Sequence, residues 1–177
     1  AGWGEGLVEE FRADSREVVV RFASGSVKDL PLSTALDSLQ PLDPDDLRCM
    51  LLTSKDELER LAEEEPAALI RKAARVFRGR ATSTQVKAKL SPAVIPTKKW
   101  AAFWKRAKAA AAIDPWLQVE GSATRPIFEL RAKPLSLSDE ARRAVLSEDD
   151  LGGEIATLRS YVDRCNNPEA LNAILDL

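Results

Sequence analysis

The spacing of apolar residues changes near residue 43, and that change divides the chain. Before it, Val18, Val20 and Phe22 alternate with Val19 and Arg21, the two-residue period of a half-buried strand. Leu7-Val8 and residues 28–32 read as companion strands, with turns over 13–16 and 23–26. Gly2, Gly4 and Gly6 precede the first of them. A short barrel of SH3 type would bury these few apolar residues. Its closing element would be Leu30, Leu32, Leu36, Leu39 and Leu42, ending at Pro41 and Pro44.

From Asp43 onward the period is helical. Ser54-Lys55-Asp56-Glu57 has the spacing of a capping box ahead of Leu58, Leu61 and Ala62. Pro66 suits the first turn of the next helix, whose apolar face is Leu69, Ile70, Ala73, Ala74 and Phe77, and Gly79 suits its stop. Thr82 or Ser83 caps a short helix through Val86 to Leu90, and Pro96-Thr97 opens another that runs to about Ala112 before the Asp114-Pro115 break. Trp100, Phe103, Trp104, Ala107 and Ala111 share one face of that helix, which marks them as core rather than as base-stacking platforms. Residues 116–120 and 127–131 then form two extended runs joined by 121–126. Three helices followed by a two-stranded ribbon is the order of a winged helix. The last helices are expected over 149–161 and 168–175, where Leu151, Ile155, Leu158 and Val162 form one stripe that Gly152-Gly153 weakens near its start. The expected fold class is α+β, with an SH3-like barrel over residues 1–45, a helical and winged-helix-like basic domain over 46–133 and a helical C-terminal segment over 134–177.

Charge sharpens this division. Residues 66–113 carry twelve basic residues and no Asp or Glu, whereas 1–65 carry seven basic against sixteen acidic and 114–177 seven against twelve. The net charge of −2 therefore conceals segments of −9, +12 and −5. Such a block fits a polyanion partner, most often nucleic acid; it also fits a solvated helical face, or a surface that docks on the acidic flanks of its own chain. In the nucleic-acid reading, Lys98, Lys99, Lys105, Arg106 and Lys108 meet phosphates from the third helix, Thr97 and Lys98 lie near base edges, and Arg78, Arg80, Lys87 and Lys89 flank them. Few Asn, Gln or Ser accompany these cations, so sequence specificity would be weak.

Other chemistry is sparse. The chain has no His, which removes Cys/His zinc sites and Ser/His/Asp triads. Cys49 and Cys165 are far apart and are expected as buried thiols of a reducing cytoplasm. Asp45-Asp46 and Asp149-Asp150 are expected to start helices, and Glu63-Glu64-Glu65 to end one against the helix dipole. No phosphate-binding glycine loop accompanies them, so a carboxylate-and-metal nuclease or phosphotransferase is the weakest reading. No apolar run is long enough for a membrane span or a secretory signal. The chain opens on Ala1 rather than Met, which points to a longer protein.

The opening, Gly2-Trp3-Gly4-Glu5-Gly6-Leu7-Val8 through Val18-Val19-Val20-Arg21-Phe22 to Leu39-Gln40-Pro41-Leu42, resembles the small Tudor or SH3-like modules of bacterial transcription proteins, among them the polymerase-interacting domain of CarD-type regulators and the C-terminal module of UvrD-type helicases. As a whole, residues 2 to about 131 resemble the long N-terminal extension of some bacterial GreA/GreB-like elongation factors: a barrel, a helical segment like residues 58–77, the stretch from Val94-Ile95-Pro96 to Trp100 and Trp104, and the Asp114-Pro115 break. The resemblance implies RNA polymerase as a partner, with Trp3, Glu5, Arg21 and Lys28 as the contacting candidates on the first module. Gre factors act through a long coiled-coil hairpin with an acidic tip; this chain has no such hairpin pattern, so transcript-cleavage activity does not carry over.

The reading that follows is a non-enzymatic, cofactor-free, metal-free cytoplasmic module that docks on RNA polymerase through the barrel and contacts duplex DNA or an acidic surface through the basic winged helix. A protein-interaction scaffold without DNA binding is the alternative. The pattern carries no signal for oligomeric state.

Overall fold

A computed structural model of the chain describes residues 2–165 and 174. Among these residues are eight α-helices and two three-stranded antiparallel sheets. The first sheet has sequential order β1 (Gly6–Arg12), β2 (Glu17–Phe22), β3 (Val27–Pro31). Its register pairs Val8 with Val20 and Phe11 with Val18 across a bulge in β1, and Val18 with Leu30. Val18, Val20, Phe22 and Leu30 form a small core closed by Ala35 of α1 (Leu32–Ser38), with Leu32 and Leu39 against it.

The expected closed barrel is not formed among the described residues; the sheet stays open and a helix lies where barrel closure was expected. The leucine spacing misdirects because residues 32, 35 and 39 face the sheet, so that Leu36 points outward and is 73% exposed. β1 consequently remains an open edge, exposed along its whole length.

The larger core belongs to α2 (Leu47–Thr53), α3 (Lys55–Glu64), α4 (Pro66–Val76), β4 (Arg80–Thr82), α5 (Ser83–Leu90), α6 (Trp100–Ala112), β5 (Leu117–Ser122) and β6 (Arg125–Leu130). A single 3-10 turn over Thr97–Lys99 leads into α6. α4 is central, with Leu69, Ile70, Ala73 and Ala74 fully buried against the neighbouring helices and β6. Burial of Leu69 and Ile70 alone contributes about 1.5–3 kcal/mol each. Phe103, Ala107 and Ala111 carry the inner face of α6, and Trp104 stacks on Trp100 and meets Phe128 of β6 edge-on, with ring centroids 5.4 and 5.7 Å apart. The second sheet has order β4-β6-β5, so the short strand between α4 and α5 pairs with the far strand of the β5–β6 hairpin.

Local signals explain most element ends. Pro66 occupies the first turn of α4. Thr82 caps α5 through a reciprocal box with Gln85: the Gln85 amide donates to Thr82 Oγ1 (3.3 Å) and the Thr82 amide to Gln85 Oε1 (2.8 Å). Asp46 and Asp150 cap α2 and α8 (Leu151–Arg164). Ser54 is the N-cap of α3, yet its side chain makes no capping bond, so the expected box there is not built. Helix α7 (Leu137–Val145), started by a Ser136–Asp139 box, falls within the segment expected to be helical, although no helix was delimited there. In α8, Leu151 and Ile155 are exposed while Leu158 and Val162 are half-buried, so only half of the expected stripe is covered. The helix expected over 168–175 lies outside the described residues, apart from the buried, helical Ile174. Cys49 and Cys165 are half-buried rather than buried. No helix of the described residues is long and apolar enough to cross a membrane.

The α4 terminus departs from the simplest glycine stop. The Gly79 amide donates to the Ala74 carbonyl and the Arg78 amide to that of Arg75, the paired bonds of a Schellman motif, and Arg78 itself takes the left-handed conformation at φ 57°. A side chain is strained there. Replacing Arg78 by Gly is expected to leave stability unchanged or raise it by up to about 1 kcal/mol in urea unfolding, against the usual loss for glycine in a helix. A drop of more than about 1 kcal/mol would contradict this geometry.

Candidate nucleic-acid interface

The cations of residues 66–113 do not form one open surface. Arg71 pairs with the buried Asp114, whose carboxylate also accepts the Trp116 amide (2.9 Å) and so fixes the corner between α6 and β5. Lys72 bonds both the carboxylate and the carbonyl of Asp45, and Arg75 reaches the same carboxylate at 3.1 Å. Arg80 bridges Glu129 (2.9 Å) and Glu120 (3.2 Å) across the second sheet. Lys89 faces Glu5 of the first module at 3.6 Å, and Lys87 lies 5.9 Å from the Trp100 ring centre.

The α6 cations are also partly engaged. Arg106 donates to the carbonyls of Glu63 (3.2 Å) and Ala62 (3.4 Å) at the end of α3. That contact answers the Glu63–Glu65 problem, since a cation now meets the negative end of the α3 dipole. Lys108 donates to the Ala123 carbonyl in the β5–β6 turn (3.1 Å). Beside that turn, Gly121 sits at φ +81°, and a Cβ there would lie 2.8 Å from the Arg125 carbonyl oxygen.

Eight of the twelve cations are thereby held within the chain. The side chains of Arg78, Lys98, Lys99 and Lys105 have no ion-pair or hydrogen-bond partner among the described residues, and Thr97 is exposed beside the two lysines. Even these act in a mixed field. Lys99 and Arg106 line one side of a groove of about 360 Å³ whose other wall carries Glu59 and Glu63. The outward face of α6 bears Ala101, Ala102, Lys105, Ala109 and Ala112, and none of the alanines can hydrogen-bond a base edge.

The first-module candidates separate likewise. Trp3 packs edge-on against Phe22 (5.7 Å), and Lys28 lies over its ring at 5.4 Å. Arg21 turns to Glu9 at 2.6 Å, while Glu5 faces α5. Trp3 and Lys28 therefore share a surface that Arg21 and Glu5 do not. Val8 and Phe11, both more than half exposed on the core side of β1, extend that surface; three residues apart, they would fall on opposite faces of a regular strand, and only the bulge between Val8 and Glu10 brings them together, so no local alternation singles them out. Among the described residues, no group of three or more metal-ligating side chains comes together.

Comparison with known proteins places this geometry in context. Residues 48–135 match the family model of the GRAD helix-turn-helix domain, so a helix-turn-helix domain is present in the larger unit. Transcription elongation factor GreA of Chlamydia pneumoniae is 32% identical over 108 residues, 60% of this chain and 15% of that protein. Transcription elongation factor GreA of Chlamydia trachomatis serovar D is 24% identical over 162 residues, 91% of this chain and 22% of that protein. The chain thus spans less than a quarter of the length of these curated relatives. No solved structure matches.

Asp45 offers a direct test of the charge pairing. The hydrogen bond from Lys72, with the charges of Lys72 and Arg75 behind it, holds its carboxyl below the usual carboxylate range, and Arg48 does the same for Asp46. Carboxylates with depressed folded-state values stabilise the protein above their unfolded-state pKa, near 4, and lose that contribution as pH falls through the folded-state value. Asp45→Asn is expected to lower the urea midpoint at pH 7 and to leave it unchanged near pH 2, with a smaller difference at high salt because the Asp45 carboxylate is exposed. An equal loss at both pH values would show that the pair carries no charge-dependent stability.

Proposed function

We propose that this chain is a non-enzymatic docking region of a GreA-like transcription elongation protein, with RNA polymerase as its partner and a cytoplasmic location as the corollary. Its parts are an open, SH3/Tudor-related sheet module over about residues 1–45, a winged-helix-type unit over 46–133 and a helical C-terminal segment over 134–177. The winged-helix assignment is supported by three helices, α4 to α6, with β4 between the first two pairing to the second strand of the following hairpin. The polymerase assignment is supported by the relatives' naming as transcription elongation factors and by the apolar surface of Trp3, Val8 and Phe11 on an unpaired strand edge.

One observation favours protein docking over DNA reading for the winged-helix unit. Two-thirds of its cations are engaged within the chain, and the outward face of α6 is mostly alanine, broken by Lys105. A smooth small-residue face allows another helix or sheet to approach closely, whereas a recognition helix needs forked or amide side chains aimed at base edges. The weak duplex-DNA contact carried by Thr97, Lys98, Lys99 and Lys105 is the second reading, supported by their lack of internal partners.

The intact chain, immobilised, is expected to capture purified RNA polymerase, and Val8→Asp with Phe11→Asp to reduce capture at least tenfold while leaving the melting temperature within a few degrees. In parallel, random-sequence duplex DNA titrated at about 50 and 200 mM salt is expected to bind weakly, with little change on K98E/K99E/K105E. No polymerase capture would overturn the docking assignment. Tight, salt-steep duplex binding abolished by the triple reversal would transfer the function of α6 to DNA.

A further inference from the structure

The charge segmentation of the sequence assigns residues 114–177 to an acidic region, yet the fold gathers several of its few cations into one place. Arg131 at the end of β6, Lys133 in the linker, and Arg142 and Arg143 on α7 line a cleft of about 710 Å³ between the outer face of the second sheet and that helix. Gln118, Glu129 and Asp139 complete its polar walls.

The two carboxylates of this cleft are already committed. Glu129 accepts from Arg80 (2.9 Å), and Asp139 accepts from the Ser136 hydroxyl (2.6 Å) and amide (3.3 Å) in the α7 capping box. Arg131 donates from Nε to the Leu117 carbonyl (3.2 Å), which holds the guanidinium in place and leaves its terminal nitrogens without a hydrogen bond to any described group. Lys133, Arg142 and Arg143 make no ion pair within 4 Å among the described residues. Asp139 stays within the field of Arg142 and Arg143, but one carboxylate against three guanidinium groups and an ammonium leaves the cleft net positive, a surface suited to phosphate oxygens, which guanidinium forks meet bidentately.

Trp116 does not line the cleft itself, but the hairpin register places it on the same face. The Arg131 amide donates to the Trp116 carbonyl (2.9 Å), continuing the β5–β6 register by one pair beyond Leu117 and Leu130. Residues 116, 118, 129 and 131 therefore share a face of the hairpin, by the two-residue alternation that sends Leu117 into the core. Trp116 is 42% exposed there, unlike Trp100 and Trp104, which are packed in the core. The Leu135 amide, bonded to the Pro115 carbonyl (2.8 Å), pins the linker that carries Lys133 to this same corner.

We propose that this cleft binds single-stranded nucleic acid, with Arg131, Lys133, Arg142 and Arg143 on the phosphodiester backbone and Trp116 stacked on an unpaired base. The single strand, rather than a duplex, follows from the ring: a base inside a duplex has no free face to offer it. The site is separate from the first-sheet surface and from α6, so it stands or falls independently of polymerase docking.

The test is fluorescence anisotropy of the full chain with labelled 20-mers of uridine and thymidine, and with a duplex of equal length, at about 50 and 200 mM salt. Expected are single-strand binding at the lower salt and an affinity loss of at least tenfold in R142E/R143E, with a salt slope shallower by about 1.4. Trp116→Ala is expected to lower affinity roughly five- to a hundredfold with the slope unchanged, the range of one stacked base. R142Q/R143Q serves as the milder variant if charge reversal disturbs α7, and K98E/K99E/K105E is expected to stay within about twofold of the parent. The proposal is overturned by absence of single-strand binding, by equal duplex affinity insensitive to Trp116, or by losses confined to the α6 triple variant.

Discussion

Burial of α4 is the constraint on which the larger unit depends. Its inner face combines two large residues, Leu69 and Ile70, with Ala73 and Ala74, and α6 answers with Ala107 and Ala111. Small side chains at the contact let the two helices approach closely, and the large ones fill the space toward α3 and β6. Everything downstream is set from this pair. Trp104 on the flank of α6 reaches Phe128, and Phe128 fixes β6, which in turn pairs with β4 at the exit of α4. A closed circuit of contacts thus runs from α4 through α6 and the hairpin back to β4.

The polar interactions reinforce that circuit rather than decorate it. Asp114 holds the α6–β5 corner against Arg71 of α4, and Asp45 holds the approach to α2 against Lys72 and Arg75 of the same helix. Arg106 ties α6 to the end of α3, where three successive glutamates would otherwise face unsatisfied carbonyls. Because these cations are used structurally, the unit presents much less net positive field than its composition implies. The acidic flanks of the chain serve largely as its internal counter-charge.

The open surfaces consequently lie away from where charge counting points. The surfaces left without partners are the core-side edge of the first sheet, the alanine face of α6 and the cleft against α7. Each suits a different contact: an apolar edge for protein, a smooth helix face for close packing, and a net-positive guanidinium cluster on the face of a half-exposed indole for phosphates and bases. A docking region of a larger transcription protein would use such surfaces together, since the chain supplies several small contact areas and no catalytic constellation among its described residues.

Local chemistry was legible in the sequence because it needs only neighbours. The β1–β3 strands, Pro66 at the start of α4, the Thr82 cap, the Trp100–Ala111 face and the Asp114 break are all decided within a few residues by period, cap and ring constraints. The open first sheet was not legible, because leucines at 32, 36 and 39 fit a closing strand or a helix equally well until Ala35 is seen to face the core. Nor was the fate of the basic block: Arg71 finds Asp114 forty-three positions away, and Arg80 finds Glu129 forty-nine away. By itself the sequence determined most of the strands and helices, their order and the total charge of each segment. Only the tertiary structure decided which charges remain unpaired and which surface stays open, because an ion pair and an uncovered face are relations between distant segments that no local pattern contains.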